Sequence, residues 1–342
     1  MPDDRPLILS CPLPRTLDLI FAPDRLADLR SRYQIVETTD EELPALSDDI
    51  LNRARYIIGQ PPLDLATLAR LSSLRCVFNV ESNLLDNMPY DEVFRRGIHV
   101  VTTGAVFALP VAEMGLGMAL SLLRGIHTAD ADFRAGAEKW GGEGNTKARQ
   151  LSGATVGIIG FGDLGRALGR VLSGFQTRLM VHDPWQAPSI TRAGGAEPAM
   201  LQQVLGTCDV VFVTAAVTSE NQGFLGAEAF AAMKPGSAFI LLSRANVVDF
   251  DALMGAVRSG HIVAASDVYP QEPLPLDHPV RTLPGFLHSA HRAGALDAAF
   301  RQMGEMVLED LALLDKNLPP QVCKRAERET VSRMRSRPVT VN

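Results

Sequence analysis

Three polar side chains in the second half of the chain could together hold a carboxylate and move a proton. They are Arg244, Glu272 and His291. A guanidinium can bind a carboxylate through two parallel hydrogen bonds and polarise a carbonyl group. A histidine exchanges one proton near neutral pH, and a carboxylate can orient it and stabilise its charged form. The set suits hydride transfer to or from a hydroxy acid, although His288 competes with His291 as proton carrier.

A glycine-rich turn earlier in the chain could bind the phosphates of a dinucleotide. Residues 155–159 are apolar, and the stretch GFGDLG follows at once, before a helical pattern. In such a turn the first glycine allows a tight bend, the second lets the backbone approach a pyrophosphate, and the third lets the helix lie close to the strand. The helix N-terminus then faces the phosphates. The predicted cofactor-binding residues here are Gly160, Gly162, Asp163, Leu164 and Gly165.

Asp183 points to the kind of dinucleotide. It ends a second apolar strand and lies 18 residues after Gly165 (183 − 165). An acid near this offset binds the ribose 2′-OH and repels a 2′-phosphate, so we predict NAD rather than NADP. Asp163 puts a negative charge beside the phosphates, but its backbone N–H can still bind them if the side chain points to solvent.

Length, charge and cysteine use narrow the class of protein. A chain of 342 residues is too long for one typical core, so we expect two domains. The formal net charge of −6 argues against a nucleic-acid partner. Four widely spaced cysteines predict neither zinc, nor any other metal site, nor disulfides. The N-terminus lacks a secretory pattern, and the longest apolar helix, around residues 115–126, is predicted too short to span a membrane; we expect a cytoplasmic protein.

Strand and helix patterns place the candidate residues. Strands near residues 7–9, 35–36, 56–58 and 76–80 alternate with helices at 23–32 and 63–71, which predicts a small parallel sheet without a nucleotide fingerprint. In the second half each candidate polar residue follows the carboxyl end of a predicted strand. Long helices are predicted at 108–124 and 296–314, a loop at 134–144, and a solvated, mobile basic tail at 324–337.

From about residue 77 to residue 294 the chain resembles the D-isomer-specific 2-hydroxyacid dehydrogenases, an NAD-dependent family. The matching stretches are VGIIGFGDLGRALGRVL, CDVVFVTAAVTSENQGFLG, MKPGSAFILLSRANVVDFDAL, SDVYPQEP and HSAHRAGA. The resemblance implies that Arg244 binds the substrate carboxylate, that His291 rather than His288 is the catalytic histidine, and that Glu272 is its partner. It also implies further cofactor-binding residues: Thr218, Ser243 and Arg244 along the cofactor and Asp267 at the nicotinamide amide.

The resemblance implies an architecture as well. The fold class is α/β, with two Rossmann-like or flavodoxin-like parallel-sheet domains and the active-site cleft between them. Residues 104–290 would form the NAD-binding domain, inserted into an outer substrate domain of residues 1–103 plus 291–342. Family members are usually homodimers, with the long helix after Pro110 at the interface.

The departures from the family pattern lie on the substrate side. The family's G-V-G-x-D-N loop reads SNLLDN here, without glycines, so Ser82, Asn83 and Leu84 are the candidate substrate-binding residues and Glu81 and Asn83 could project into the cleft. Phe107 replaces a common asparagine. We predict an oxidoreductase that transfers a hydride between NAD(H) and a small-molecule D-2-hydroxy or 2-keto acid; the alternative is an NAD-sensing binding protein without turnover.

Overall fold

The computed structural model describes residues 5–334. Its strands are β1 (Leu7–Ser10), β2 (Gln34–Glu37), β3 (Ala54–Ile58), β4 (Cys76–Asn79), β5 (His99–Thr102), β6 (Thr155–Ile159), β7 (Arg178–His182), β8 (Glu197–Pro198), β9 (Val210–Val213), β10 (Ala238–Leu241), β11 (Val263–Ser266), β12 (Phe286–His288) and β13 (Lys324–Arg325). Its α-helices are α1 (Leu17–Ile20), α2 (Pro23–Arg32), α3 (Asp48–Arg53), α4 (Leu65–Arg70), α5 (Tyr90–Arg95), α6 (Ala108–Arg124), α7 (Ile126–Arg134), α8 (Asp163–Leu172), α9 (Pro188–Ala193), α10 (Leu201–Thr207), α11 (Ala227–Ala231), α12 (Phe250–Arg258), α13 (Asp297–Asp315) and α14 (Arg328–Val331).

The chain divides into two compact units. The first contains the chain up to Phe107, the short segment Thr218–Glu220, and the chain from Leu296 onwards. The second contains Ala108–Val217 and Asn221–Ala295, and so includes His291. The functional division at residues 103/104 and 290/291 stays a prediction.

The first unit is built on a sheet of strand order β13-β5-β4-β3-β1-β2. Strands β1 to β5 run parallel to one another, and β13 pairs antiparallel with β5. The order β2-β1-β3-β4-β5 is the flavodoxin-like one, whose topological switch point lies between β1 and β3. Apolar clusters cover this sheet, one around Ile8, Tyr56 and Phe78 and another around Leu9, Ile57 and Val77. Side chains that alternate along each strand therefore build two core layers.

The second unit is built on a parallel sheet of strand order β12-β11-β10-β9-β6-β7-β8. Read from β8, the order is the 3-2-1-4-5-6 order of Rossmann domains with one further strand, and the switch point lies between β6 and β9. The burial of β9 and β10 is complete along their whole length. Continuous apolar runs of this kind are typical of parallel strands covered on both faces. The predicted fold class of two parallel-sheet domains is confirmed.

Two predictions about the helices and the tail are wrong. The turn Gly104–Phe107 runs directly into α6, so the apolar helical segment has 21 residues and by length and composition alone could cross a bilayer. Core helices of soluble proteins pass the same test, and Gly115 of α6 packs against Leu242 and Leu168. The tail is not a free end as far as Met334, because it forms β13 and α14; residues 335–337 lie outside the described range.

Candidate active site

The glycine-rich turn lies at the switch point of the second sheet, between β6 and α8. Gly160 has a φ of 91°, and a Cβ on it would lie 2.5 Å from the backbone of Ala215. A Cβ on Gly165 would lie 2.3 Å from the carbonyl oxygen of Gly160. Gly162, by contrast, has no atom within 4 Å of where its Cβ would be. The turn is therefore tight at Gly160 and open at Gly162, where α8 begins.

Asp163 at this turn and Asp183 after β7 both have hydrogen-bond partners. Asp163 Oδ1 accepts a hydrogen bond of 2.6 Å from Arg166, which compensates the negative charge that the sequence places beside the phosphates. Asp163 and Leu164 form the first turn of α8, whose N-terminal N–H groups receive no side-chain cap. Asp183 Oδ2 accepts a hydrogen bond of 2.7 Å from the N–H of Phe161. Asp183 thus supports the glycine turn directly.

The residues around this turn fit a dinucleotide. The open side of Gly162 and the uncapped N-terminus of α8 offer N–H groups to a phosphate. Ser243, predicted to lie along the cofactor, is 7% exposed, and its Oγ is buried without a hydrogen-bond partner among the described residues. This hydroxyl is available to hydrogen-bond a ligand. A hollow also lies beyond the carboxyl end of β7, lined by Asp183 and residues 198–203 among others.

The structure brings Glu272 and His291 together. Nδ1 of His291 lies 2.6 Å from Oε2 of Glu272, and Oε1 of Glu272 accepts from the N–H of Tyr269 at 2.8 Å. Burial raises the pKa of Glu272, but the hydrogen bonds from His291 and Tyr269, together with the nearby charges of His291 and Arg244, outweigh it and lower the pKa below its ordinary value. An ionised Glu272 therefore accepts from Nδ1–H and leaves Nε2 of the ring for exchange of a proton.

His288 has a different environment from His291. Its Nδ1 lies 3.1 Å from the hydroxyl of Tyr269, and its ring stacks on Phe286 with centroids 5.0 Å apart. Burial, and then the charges of Arg281 and His127, lower the pKa of His288. A histidine whose ring nitrogens have no carboxylate partner among the described residues is less suited to carry a proton than one paired with a carboxylate.

Asp267 holds the loop that carries His291. It is 1% exposed, and its two carboxylate oxygens accept from the N–H groups of Arg292 at 2.9 Å and Ala293 at 3.0 Å. Its carbonyl oxygen accepts from the N–H of His291 at 2.6 Å. His291 itself has a φ of 52°, a backbone conformation that residues other than glycine rarely adopt and that the surrounding contacts hold here. Sequence reasoning assigned Asp267 to the nicotinamide amide and missed this positioning role.

The segment Thr218–Glu220 is grouped with the first unit, although the chain on either side of it belongs to the second. Thr218 forms an isolated β-bridge with Met334, and the N–H of Ser219 donates to the carbonyl of Arg333 at 2.9 Å. Arg333 also lies 3.4 Å from a carboxylate oxygen of Glu220. The predicted cofactor-side turn therefore contacts the last residues of the described chain, a contact that sequence reasoning did not predict.

The glycine-free loop of the first unit is held from beneath by buried amides. Gln60 is 8% exposed and Asn79 is fully buried. Nδ2 of Asn79 donates to Gln60 at 2.8 Å and to the carbonyl of Asn83 at 3.0 Å, while Nε2 of Gln60 donates to Asn87 at 2.9 Å and to Tyr90 at 3.0 Å. Isolated amides 19 and more residues apart carry no spacing signal, so the sequence did not reveal this network.

Within that loop the three candidate substrate residues are not equivalent. Ser82 and Asn83 are partly exposed, but Leu84 is 4% exposed and belongs to the apolar core, so it offers no surface to a ligand in this structure. Glu81 does not project outward either, since it is 6% exposed and its Oε2 accepts from the hydroxyl of Ser82 at 2.9 Å. Phe107 contacts the ring of Phe300 within the same unit.

No metal site accompanies these groups within residues 5–334. No three His, Cys, Asp or Glu side chains come together there as possible ligands. The four cysteines are all free and buried. Burial raises the pKa of Cys208 to about 11, although a hydrogen bond with Thr207 acts in the opposite direction.

Residues 116–293 match the family model of the D-isomer specific 2-hydroxyacid dehydrogenase NAD-binding domain. The chain is 29% identical over 320 residues to the glyoxylate reductase of Korarchaeum cryptofilum, covering 90% of this chain and 95% of that one. It is 31% identical over 308 residues to the glyoxylate reductase of Thermofilum pendens, covering 86% and 89%. The structure of a phosphoglycerate oxidoreductase from Rhizobium etli superposes with a TM-score of 0.88 at 65% identity, covering 95% of this chain and 100% of that one.

These findings define the class of protein. The α/β fold, the dinucleotide turn and the extent of these matches agree with one another. The chain is a member of the D-isomer-specific 2-hydroxyacid dehydrogenase family. It is therefore an oxidoreductase of the NAD-dependent 2-hydroxyacid dehydrogenases, and its cofactor is NAD.

Proposed function

We propose that the chain reduces a 2-keto acid to a D-2-hydroxy acid, with His291 as the proton donor. The observation that carries the proposal is the hydrogen bond of 2.6 Å between His291 and Glu272, beside the charge of Arg244. Bound NADH supplies the hydride to the 2-carbon. Nε2 of His291 donates a proton to the carbonyl oxygen, and the charge of Glu272 stabilises the imidazolium before that transfer.

Arg244 binds the substrate carboxylate in this proposal. Its side chain is partly buried, and its Nη1 donates to the carbonyl of Ser243 at 2.8 Å, which restricts the orientation of the guanidinium. A fixed guanidinium suits bidentate recognition of a carboxylate and can polarise the neighbouring carbonyl. Asp267 keeps the loop of His291 in place and lies beside the predicted nicotinamide site. On the substrate side, Ser82 and Asn83 are the candidates that retain exposed surface.

The test is consumption of NADH with a panel of 2-keto acids that differ in the side chain: small, branched, aromatic and dicarboxylic. We expect turnover of at least one member, a D-configured product by chiral chromatography, and weaker use of NADPH than of NADH. Tight binding of NADH without turnover of any member would contradict the proposal and favour an NAD-sensing protein. Preference for NADPH would contradict the role of Asp183 at the ribose.

We also propose a cytoplasmic homodimer formed through α6 and α7. Large apolar side chains on these helices and in the loop after α7 are exposed: Leu109 at 50%, Ile126 at 56% and Phe133 at 62% on the helices, and Trp140 at 75% in the loop. Exposed apolar patches on soluble proteins mark interaction sites. Light scattering during size-exclusion chromatography should give twice the mass of 37.0 kDa, and Phe133→Glu should shift the mass towards the monomer. A wild-type protein with the mass of a monomer would contradict the proposed dimer.

A further inference from the structure

The two side chains of the proposed proton-transfer pair come from different loops of the second unit. Glu272 lies in the loop after β11, and His291 lies in the loop after β12. Each side chain is 30% exposed, so packing alone does not fix the 2.6 Å between them. The carboxylate of Asp267 binds the loop of His291. The position of Glu272 depends on a different residue.

Tyr269 is attached to Glu272 through its backbone and to the ends of two strands through its hydroxyl. Its N–H donates to Oε1 of Glu272 at 2.8 Å. Its hydroxyl lies 3.1 Å from Nδ1 of His288 and 3.3 Å from the carbonyl oxygen of Ser266. Ser266 and His288 are the last residues of β11 and β12 and are partners in the parallel register. Tyr269 therefore joins Glu272 to the strand that leads into the loop of His291.

The hydroxyl of Tyr269 and the ring of His288 match as donor and acceptor. Burial, and then the charge of Asp267, raise the pKa of Tyr269 to about 12, so the hydroxyl keeps its proton at neutral pH. Burial, and then the charges of Arg281 and His127, lower the pKa of His288, so its ring is neutral there. A neutral imidazole has one nitrogen that accepts a hydrogen bond.

Aromatic packing restricts both rings of this hydrogen bond. Tyr269 is 9% exposed, and its ring centroid lies 5.8 Å from that of Phe250. The ring of His288 stacks on Phe286 at 5.0 Å, and the centroids of Phe286 and Phe250 are 6.0 Å apart. The four rings form one contiguous cluster, so Tyr269 cannot turn away from His288 without displacing its neighbours.

We propose that Tyr269 is a positioning residue for the pair of Glu272 and His291, and that His288 acts on the reaction only through the hydroxyl of Tyr269. The N–H of Tyr269 holds one oxygen of Glu272, which directs the other oxygen to Nδ1 of His291. An aligned carboxylate stabilises the imidazolium that donates the proton. This inference rests on the proposed function and gives His288 a role other than proton transfer.

The test begins with Tyr269→Phe, which removes the hydroxyl and keeps the ring and the N–H. For the 2-keto acid that the wild type reduces fastest, kcat should fall roughly five- to twentyfold, with KM for NADH changed less than about twofold. Reduction uses protonated His291, so activity is lost at high pH. With Glu272 misaligned, this loss should begin roughly half a pH unit lower, which a mere loss of stability would not cause.

Tyr33→Phe is the matched control, because Tyr33 is a buried tyrosine of the first unit whose hydroxyl donates to Asp315. It should lower Tm as Tyr269→Phe does and leave kcat and the pH profile unchanged. His288→Phe, which keeps a ring without an acceptor, should lower kcat only roughly threefold, since the carbonyl of Ser266 still accepts. It should have no further effect in the Tyr269→Phe background. Unchanged kinetics in Tyr269→Phe, or additive losses in the double variant, would overturn the proposal.

A measurement without turnover separates this inference from the proposed function. The Nδ1–H of a histidine that donates to a carboxylate gives a low-field proton NMR signal, and its absence from His291→Asn assigns it. The signal should be present in the wild type and in Tyr33→Phe, and displaced or broadened in Tyr269→Phe. If the wild type reduces no 2-keto acid, the proposed function fails and this signal alone decides whether Tyr269 positions the pair. An unchanged signal in Tyr269→Phe would overturn that role.

Discussion

Two buried aspartates, one in each unit, hold a stretch of chain in the same way. Asp267 is 1% exposed, and its carboxylate accepts from the N–H groups of Arg292 and Ala293. Asp310 is fully buried, and its carboxylate accepts from three successive N–H groups of residues 321–323, at 2.7, 3.0 and 2.8 Å. In each case the carboxylate accepts from backbone N–H groups of a segment that is neither helix nor strand.

The two anchors differ in what they hold. The stretch at Asp267 carries His291, whose φ of 52° lies outside the regions that most side chains adopt. The stretch at Asp310 carries no candidate for chemistry and leads into β13. The same bonding pattern thus serves the orientation of a side chain in one unit and the attachment of a chain segment in the other. Activity and stability should therefore respond differently to equivalent changes.

The largest effect is expected at the residue that the first anchor orients. His291→Ala should lower kcat by about 10²- to 10⁴-fold because the general acid is lost, while NADH fluorescence titration shows unchanged binding. His291→Asn is a useful second variant, since asparagine tolerates positive φ. His288→Gln should keep most of the activity, because His288 contacts Tyr269 rather than Glu272. A similar kcat for His291→Ala and the wild type would remove His291 from the reaction.

The two anchors can then be compared directly. Asp267→Asn and Asp310→Asn each replace an acceptor by an amide that cannot satisfy the same N–H groups. Each should reduce the free energy of unfolding by about 1–3 kcal/mol. Only Asp267→Asn should also lower kcat, roughly ten- to hundredfold, because the ring of His291 moves. Urea unfolding and steady-state kinetics at one temperature check this, and equal kinetic losses in both variants would show that the two anchors do not differ in role.

The smallest effect concerns the charge of Glu272. Its pKa is lower in the folded protein than the ordinary value of 4.5, so the folded state holds this proton less tightly than the unfolded state. The resulting stability is present above the ordinary pKa and is lost as pH falls through the folded pKa. Between pH 7 and pH ~3 the wild type should therefore lose more stability than Glu272→Gln, by under about 1 kcal/mol because the pair is partly exposed. Parallel pH curves for the two proteins would contradict the pairing.

The sequence predicts the second unit better than the first. The candidate catalytic residues of this unit follow apolar strands. Because the carboxyl ends of parallel strands lie at one edge of the sheet, Arg244, Asp267 and His291 could be assigned to one region. The glycine turn is local, and spacing alone identifies it. Both signals depend on residues that are close in sequence.

The features that the sequence did not predict depend on distant partners. The tail was predicted to be free because it is basic, and the position of Asp310 inside α13 does not indicate its hydrogen bonds to residues 321–323. Gln60 and Asn79 follow apolar runs and hydrogen-bond the loop after β4, at Leu85 and Asn83. Neither the runs nor the composition of that loop indicates these bonds. The bridge between Thr218 and Met334 joins residues more than a hundred positions apart. Periodicity carries no information about such contacts.

β13 covers the edge of the first sheet at which another chain could pair. It pairs antiparallel with β5, with Lys324 opposite Thr102 and Arg325 opposite Val101. Without it, β5 would present unpaired N–H and C=O groups at the border of the sheet, which are a template for a strand of another chain. The two charged residues of β13 are exposed and now form that border. A chain truncated before Lys324 should therefore self-associate through β5 as its concentration rises. By covering β5, the tail protects the protein against this aggregation.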